Sequence, residues 1–134
     1  MFLHPNEPIS VTVLDGTNMT LTAPLAFRLR CGRLFRCAIG STTDGLSAPK
    51  FAKLDIQNTN SFYPAVAHDA SYRDTLEESV NNGSSWAHVT LSKQECDEML
   101  YELCQDNGVP EDEAKLIYVA VSQFGQSSFD NDRK

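Results

Sequence analysis

The spacing of apolar residues changes period partway along this chain, and that change limits the fold more than any other feature. Up to about residue 40, apolar and polar side chains alternate through Ile9–Leu14, Met19–Thr22, Ala26–Arg30 and Leu34–Ile39. A period of two sends alternate side chains to opposite faces, the pattern of a half-buried strand. Asp15-Gly16 and Cys31-Gly32 are tight-turn signals between these runs, so a small antiparallel sheet is expected over about 9–40. Pro24 has no N–H for a ladder and belongs at an edge or a strand break. The stretch from Gly40 to Pro49 has loop composition, and a loop is expected over 40–62.

Past that loop the period becomes helical. Pro64 suits the first turn of a helix expected over 63–78. Ser92 with Glu95 three residues on forms a capping box and opens a second helix over 92–106, which Asn107-Gly108 ends. Pro110 and the acids Glu111, Asp112 and Glu113 open a third over 110–124, where negative charge complements the helix dipole. Its apolar face is Leu116, Ile117, Ala120, Val121 and Phe124. The polar tail from Gln126 to Lys134 is expected to fray. The expectation is one α+β domain over 1–134, a small N-terminal antiparallel sheet followed by a three-helix C-terminal half.

Charge and composition exclude several function classes. The 134 residues carry a net charge of −7, whereas gripping a nucleic-acid backbone needs clustered Lys and Arg. Its carboxylates are dispersed, densest from Asp106 to Glu113, which argues against nucleic-acid mimicry. No run approaches the ~18 apolar residues of a membrane span, so no transmembrane segment is expected. The first residues lack the basic and apolar regions of a secretory signal, and a chain that export machinery does not read is expected. Cys96 and Cys104, eight apart on one helix, would lie ~12 Å from each other, beyond disulfide reach. Cys31, Cys37, Cys96 and Cys104 are expected to be buried and reduced.

One constellation could carry chemistry. Asp97, Leu100, Tyr101 and Cys104 fall on one helical stripe that is otherwise apolar, so Asp97 should point inward. A buried carboxylate needs a partner. His68 is the candidate, flanked by Ala65, Ala67 and Ala70, which let a second helix approach closely, and Tyr72 lies one turn on. An imidazole that donates one N–H to a carboxylate presents its other nitrogen as a base of fixed tautomer, able to activate water or a hydroxyl. The same contact can equally serve to satisfy two buried polar groups and fix helix register. Asp69 with Asp44 could hold a hard cation, or Asp44-Gly45 can be a simple turn. His4 and His88 are expected at the surface, and Trp86 as a packing anchor.

These residues fall in a recognisable order. Thr43-Asp44-Gly45-Leu46-Ser47-Ala48-Pro49, then Ala67-His68-Asp69-x-x-Tyr72, then Cys96-Asp97, then Ala120-Val121-x-x-Phe124-Gly125, resemble a phage and prophage family catalogued as domain of unknown function 1353. The resemblance covers about residues 25–125, departing at Ala48 and Cys96 without loss of a polar group. The arrangement also resembles the core of phospholipases of the A-two class. That resemblance implies His68 as base, Asp97 as its orienter, Asp69 as a calcium ligand and the loop 43–47 as the calcium loop, although Gly45 is the only glycine there. The resulting expectation is a virion-associated phage protein, of the tail or tail tip, with a His/Asp site able to hydrolyse. It implies other virion proteins as partners, a lipid or peptidoglycan substrate, and a place in the virion or host cytoplasm. The alternative is a dedicated small hydrolase, phospholipase-like or cell-wall-degrading. A host-directed inhibitor is a third reading, with no motif behind it.

Overall fold

Among the described residues the alternating segments form two antiparallel sheets rather than one. The computed structural model describes residues 1–3, 11–15, 18–43 and 61–133. The first sheet has the order β1 (Val11–Asp15), β2 (Asn18–Leu21), β5 (Thr42–Thr43). Asp15 stands opposite Asn18, as the expected hairpin requires. The second sheet has the order β3 (Leu25–Arg28), β4 (Leu34–Cys37), β6 (Leu76–Ser79), β7 (Ala87–His88). Pro24 lies between β2 and β3, outside both strands, and Gly32 takes a φ of +97° in the turn to β4. Phe27 and Phe35 are paired across β3 and β4 with ring centroids 5.7 Å apart, and both are fully buried. Burying two such rings contributes on the order of 2–3 kcal/mol each before entropy is counted.

Among the described residues four helices follow: α1 (Phe62–Tyr72), α2 (Lys93–Asp106), α3 (Glu111–Phe124) and α4 (Gln126–Asp132). The fold is therefore α+β, with strands mainly in the N-terminal part and helices in the C-terminal part. Both halves of the Ser92–Glu95 capping box are made, and Gly108 follows α2 at a φ of +84°. The main core lies between the second sheet and α1 and α2, with Phe27, Phe35, Val66, Ala67, Tyr72 and Leu103 among its members. A smaller core joins α2 to α3 through Leu100, Cys104, Ile117 and Val121.

Two of the expected helical boundaries differ. The helix expected over 63–78 stops at Tyr72, and Leu76–Ser79 is strand β6. Asp74 turns the chain through a left-handed φ of 62°, a conformation that Asp tolerates better than most residues. The acids beyond it then pair across the sheet: Glu77 accepts from Arg36 at 2.7 Å, and Glu78 takes both nitrogens of the Arg33 fork. Those cross-strand partners outweigh the helical preference of two glutamates. The tail expected to fray from 126 is instead α4. Phe129 packs edge-on against Tyr72 at 5.2 Å, and Arg133 donates to the carbonyls of Ser71, Tyr72 and Leu91.

The four cysteines are free, but Cys31 is exposed, against expectation. Burial pushes the Cys96 thiol up to about 11 and the Cys104 thiol to about 12. Trp86 is half-buried beneath the Arg36 guanidinium, 4.5 Å from the ring centroid, and so caps the sheet surface rather than anchoring the core. His88 is exposed, as expected, and its Nε2 lies 3.1 Å from Asp74. His4 lies outside the described residues. No helix among the described residues is long and apolar enough to cross a membrane.

Candidate functional site

The site forms where α1 packs on α2. Ala65, Ala67 and Ala70 of α1 are buried, and the two helices lie close enough for side chains of one to bond directly to the other. His68 Nε2 lies 2.9 Å from Asp97 Oδ1, with the two residues 2% and 3% exposed. The Tyr72 hydroxyl, one turn beyond His68, donates to the same oxygen at 2.6 Å. Its ring packs against the imidazole with centroids 4.1 Å apart. The structure thus brings His68, Tyr72 and Asp97 together.

A fourth member was not anticipated. Lys93, one turn before Asp97 on α2, donates to Asp97 Oδ2 at 2.7 Å. Its ammonium also reaches the carbonyls of Val121 at 2.9 Å and Ser122 at 3.3 Å, at the C-terminal end of α3. A cation is favourable there because carbonyls in the last turn of a helix carry the negative end of its dipole, and the Val121 carbonyl accepts from Lys93 in addition to the Gly125 N–H. The i, i+4 spacing of Lys93 and Asp97 was visible in the sequence. Its second anchor on α3 was not.

Gly125 explains the terminal Phe-Gly pair. A Cβ at this position would lie 2.4 Å from the Val121 carbonyl oxygen and 2.8 Å from the Tyr72 hydroxyl. Only a residue without one lets the junction of α3 and α4 close over Tyr72. Phe124, beside it, is exposed.

These contacts fix the charge state of the acid. Burial opposes ionisation of Asp97, but the hydrogen bonds from His68, Lys93 and Tyr72 outweigh it and hold the carboxyl below the usual carboxylate range. Burial, reinforced by the bond to Asp97, pushes the Tyr72 phenol far up, so Tyr72 stays a donor. An ionised carboxylate only accepts, so His68 Nε2 carries a proton and donates it. In the neutral ring, Nδ1 is then the basic nitrogen.

Asp69 sits beside this cluster, half-buried, and accepts from the buried Thr43 hydroxyl at 2.6 Å. That bond ties β5 to α1 through Thr43, the first residue of the T-D-G segment. Asp44, the other expected cation ligand, and the rest of that loop lie outside the described residues. Calcium takes about six to eight oxygens, and among the described residues no group of three His, Cys, Asp or Glu side chains could hold a metal. The described residues therefore do not make up the calcium site that the phospholipase resemblance implies.

No curated protein matches this chain, and no solved structure does. One family model matches residues 19–121, spanning the described strands from β2 onward, the His68–Asp97 pair and Lys93, and stopping before Gly125 and α4. That match covers well over half of the 134 residues, and the chain belongs to the family described as protein of unknown function DUF1353.

Proposed function

We propose that this is a phage-encoded protein associated with the virion, at the tail or tail tip, and that His68 is the general base of a hydrolytic site. One observation carries the chemical part: a buried imidazole bonded at 2.9 Å to a carboxylate that Lys93 and Tyr72 help keep ionised. In the proposed step, His68 Nδ1 takes a proton from water and the water oxygen bonds to the carbonyl carbon of an ester or amide. The bond to the leaving group then breaks, and the imidazolium returns its proton to that group. Asp97 stabilises the imidazolium while it exists, as an orienting acid does for a base. Phospholipid and peptidoglycan, the barriers to phage entry and release, are the proposed substrates. Other virion proteins are the proposed partners. The ordered T-D-G, H-D-x-x-Y and Phe-Gly motifs support the phage setting.

The 2% exposure of His68 favours a second reading, in which the network locks the register of α1, α2 and α3 without turnover. Turnover of phospholipid vesicles and of purified peptidoglycan, with and without calcium, separates the two. Hydrolysis that His68→Asn abolishes while the circular dichroism spectrum is kept supports the base. Absence of turnover on either substrate leaves the lock. Mass spectrometry of purified particles tests the setting, and absence of the chain from them would remove the virion placement.

A further inference from the structure

Beyond the His68 contact, Asp97 and Lys93 also border an open pocket between α2, α3 and α4. It has a volume of about 360 Å³ and is lined by Lys93, Gln94, Asp97, Tyr118, Ser122 and Gln126. Bonds already made decide what it can take. The three N–H groups of the Lys93 ammonium are spent on Asp97 and two carbonyls, which leaves none for an anion. The Asp97 carboxylate is committed to His68, Tyr72 and Lys93, so it does not offer a cation site.

What remains is uncharged and hydrogen-bonding. Gln94 donates one amide N–H to Glu98 and Gln126 one to Asp130, both at 2.9 Å, so each keeps its carbonyl oxygen and a second N–H. Ser122 donates to the Tyr118 carbonyl at 2.7 Å and keeps its hydroxyl oxygen as an acceptor. Tyr118 is half-buried and packs on Tyr101 with centroids 5.2 Å apart, which limits its freedom. The carboxylates of Glu98 and Asp130, bonded to the lining amides, would repel phosphate. An apolar ligand would leave the amides and hydroxyls without partners, a costly outcome. Hydroxyl groups, which both donate and accept, fit them.

We infer that this pocket binds an uncharged sugar ring, as one pyranose unit of a glycan. The volume is at the small end of ligand sites, which run from roughly 300 to 1,000 Å³, in keeping with one or two rings. The lining of this pocket is the same whether or not His68 turns over a substrate.

Amide chemical shifts of the full chain, followed by NMR during titration, test it. The probes are the trisaccharide of N-acetylglucosamine, inorganic phosphate and a short-chain phosphatidylcholine. Saturable shifts centred on Lys93, Gln94, Tyr118, Ser122 and Gln126 are expected with the sugar alone. Tyr118→Ala should weaken binding about tenfold or more, as the loss of one good contact does. The pair Gln94→Ala with Gln126→Ala, both at exposed positions, should do the same without risk to the fold. The inference is overturned if the sugar gives no shifts or shifts elsewhere, if phosphate or lipid gives the same map, or if both variants bind as the wild type does. Binding is read in the resting protein, so its failure leaves the His68 chemistry standing, and failure of hydrolysis leaves the pocket standing.

Discussion

Asp97 is a carboxylate withdrawn from water, and its stability rests on three donors from two helices. The stripe that turned it inward was legible in the sequence, as was His68 as its partner. Lys93 escaped because its meaning depends on where α3 ends, a fact of packing and not of local spacing. Asp97→Asn keeps the shape and removes the charge; its amide oxygen can still face His68 and Tyr72, but its NH2 then meets the Lys93 ammonium, donor against donor. Breaking a buried ion pair in this way costs about 3–5 kcal/mol. The pH dependence gives a sharper test. The folded carboxyl titrates below its unfolded value, near 3.9, so its contribution is complete above that value and is lost as pH falls through the lower folded one. Glu78 and Glu95 are depressed too, so the readout is the difference between wild type and variant. In urea unfolding below about pH 4, the wild type should lose stability more steeply than Asp97→Asn. Parallel pH profiles would mean that the Asp97 charge does not stabilise the fold.

Elements closed by local chemistry were readable, and those closed by distant partners were not. The capping box of α2 lies within four residues, and the acids after Pro110 mark the start of α3 in the same way. By contrast, β6 exists because Arg33 and Arg36 of the β3–β4 turn and of β4 wait opposite Glu78 and Glu77, more than forty residues away in sequence. The short helix α4 has weak propensity of its own and is held by Phe129 against Tyr72 and by Arg133 at the end of α1. Arg133 reaches three carbonyls, those of Ser71, Tyr72 and Leu91, and its guanidinium lies 4.3 Å from the Phe129 centroid. Arg133→Met keeps much of the apolar stem and removes the donors. Hydrogen bonds to a charged group contribute roughly 1.5–3 kcal/mol when buried, and this partly buried set should contribute about 2 kcal/mol together. Hydrogen exchange should then speed up across 126–133 and at the end of α1, with α2 protected as before. Unchanged exchange in α4 would show that Phe129 alone holds the helix.

At the scale of the whole molecule, the question is whether the two cores open together. They share α2: Leu103 belongs to the sheet-facing core, and Leu100 and Cys104 belong to the core under α3. Neither can be exposed without stripping one face of that helix, so unfolding should be cooperative. The cysteines report on both. Cys37 and Cys96 lie in the first core and Cys104 in the second, while Cys31 is exposed. Attack on a disulfide reagent requires the thiolate, and burial raises all three inner thiols, with Cys96 at about 11 and Cys104 at about 12. At pH 8 the native chain should therefore react at once through Cys31 alone. The other three should follow in one slow phase at the rate of global opening, and all four should react quickly in denaturant. Peptide mapping of partly modified protein reads the order. Modification of Cys104 ahead of Cys37 and Cys96 would mean that α3 lifts by itself. Such a motion would also pull the Val121 and Ser122 carbonyls away from Lys93, and the His68–Asp97 pair would lose one of its supports before the fold is lost.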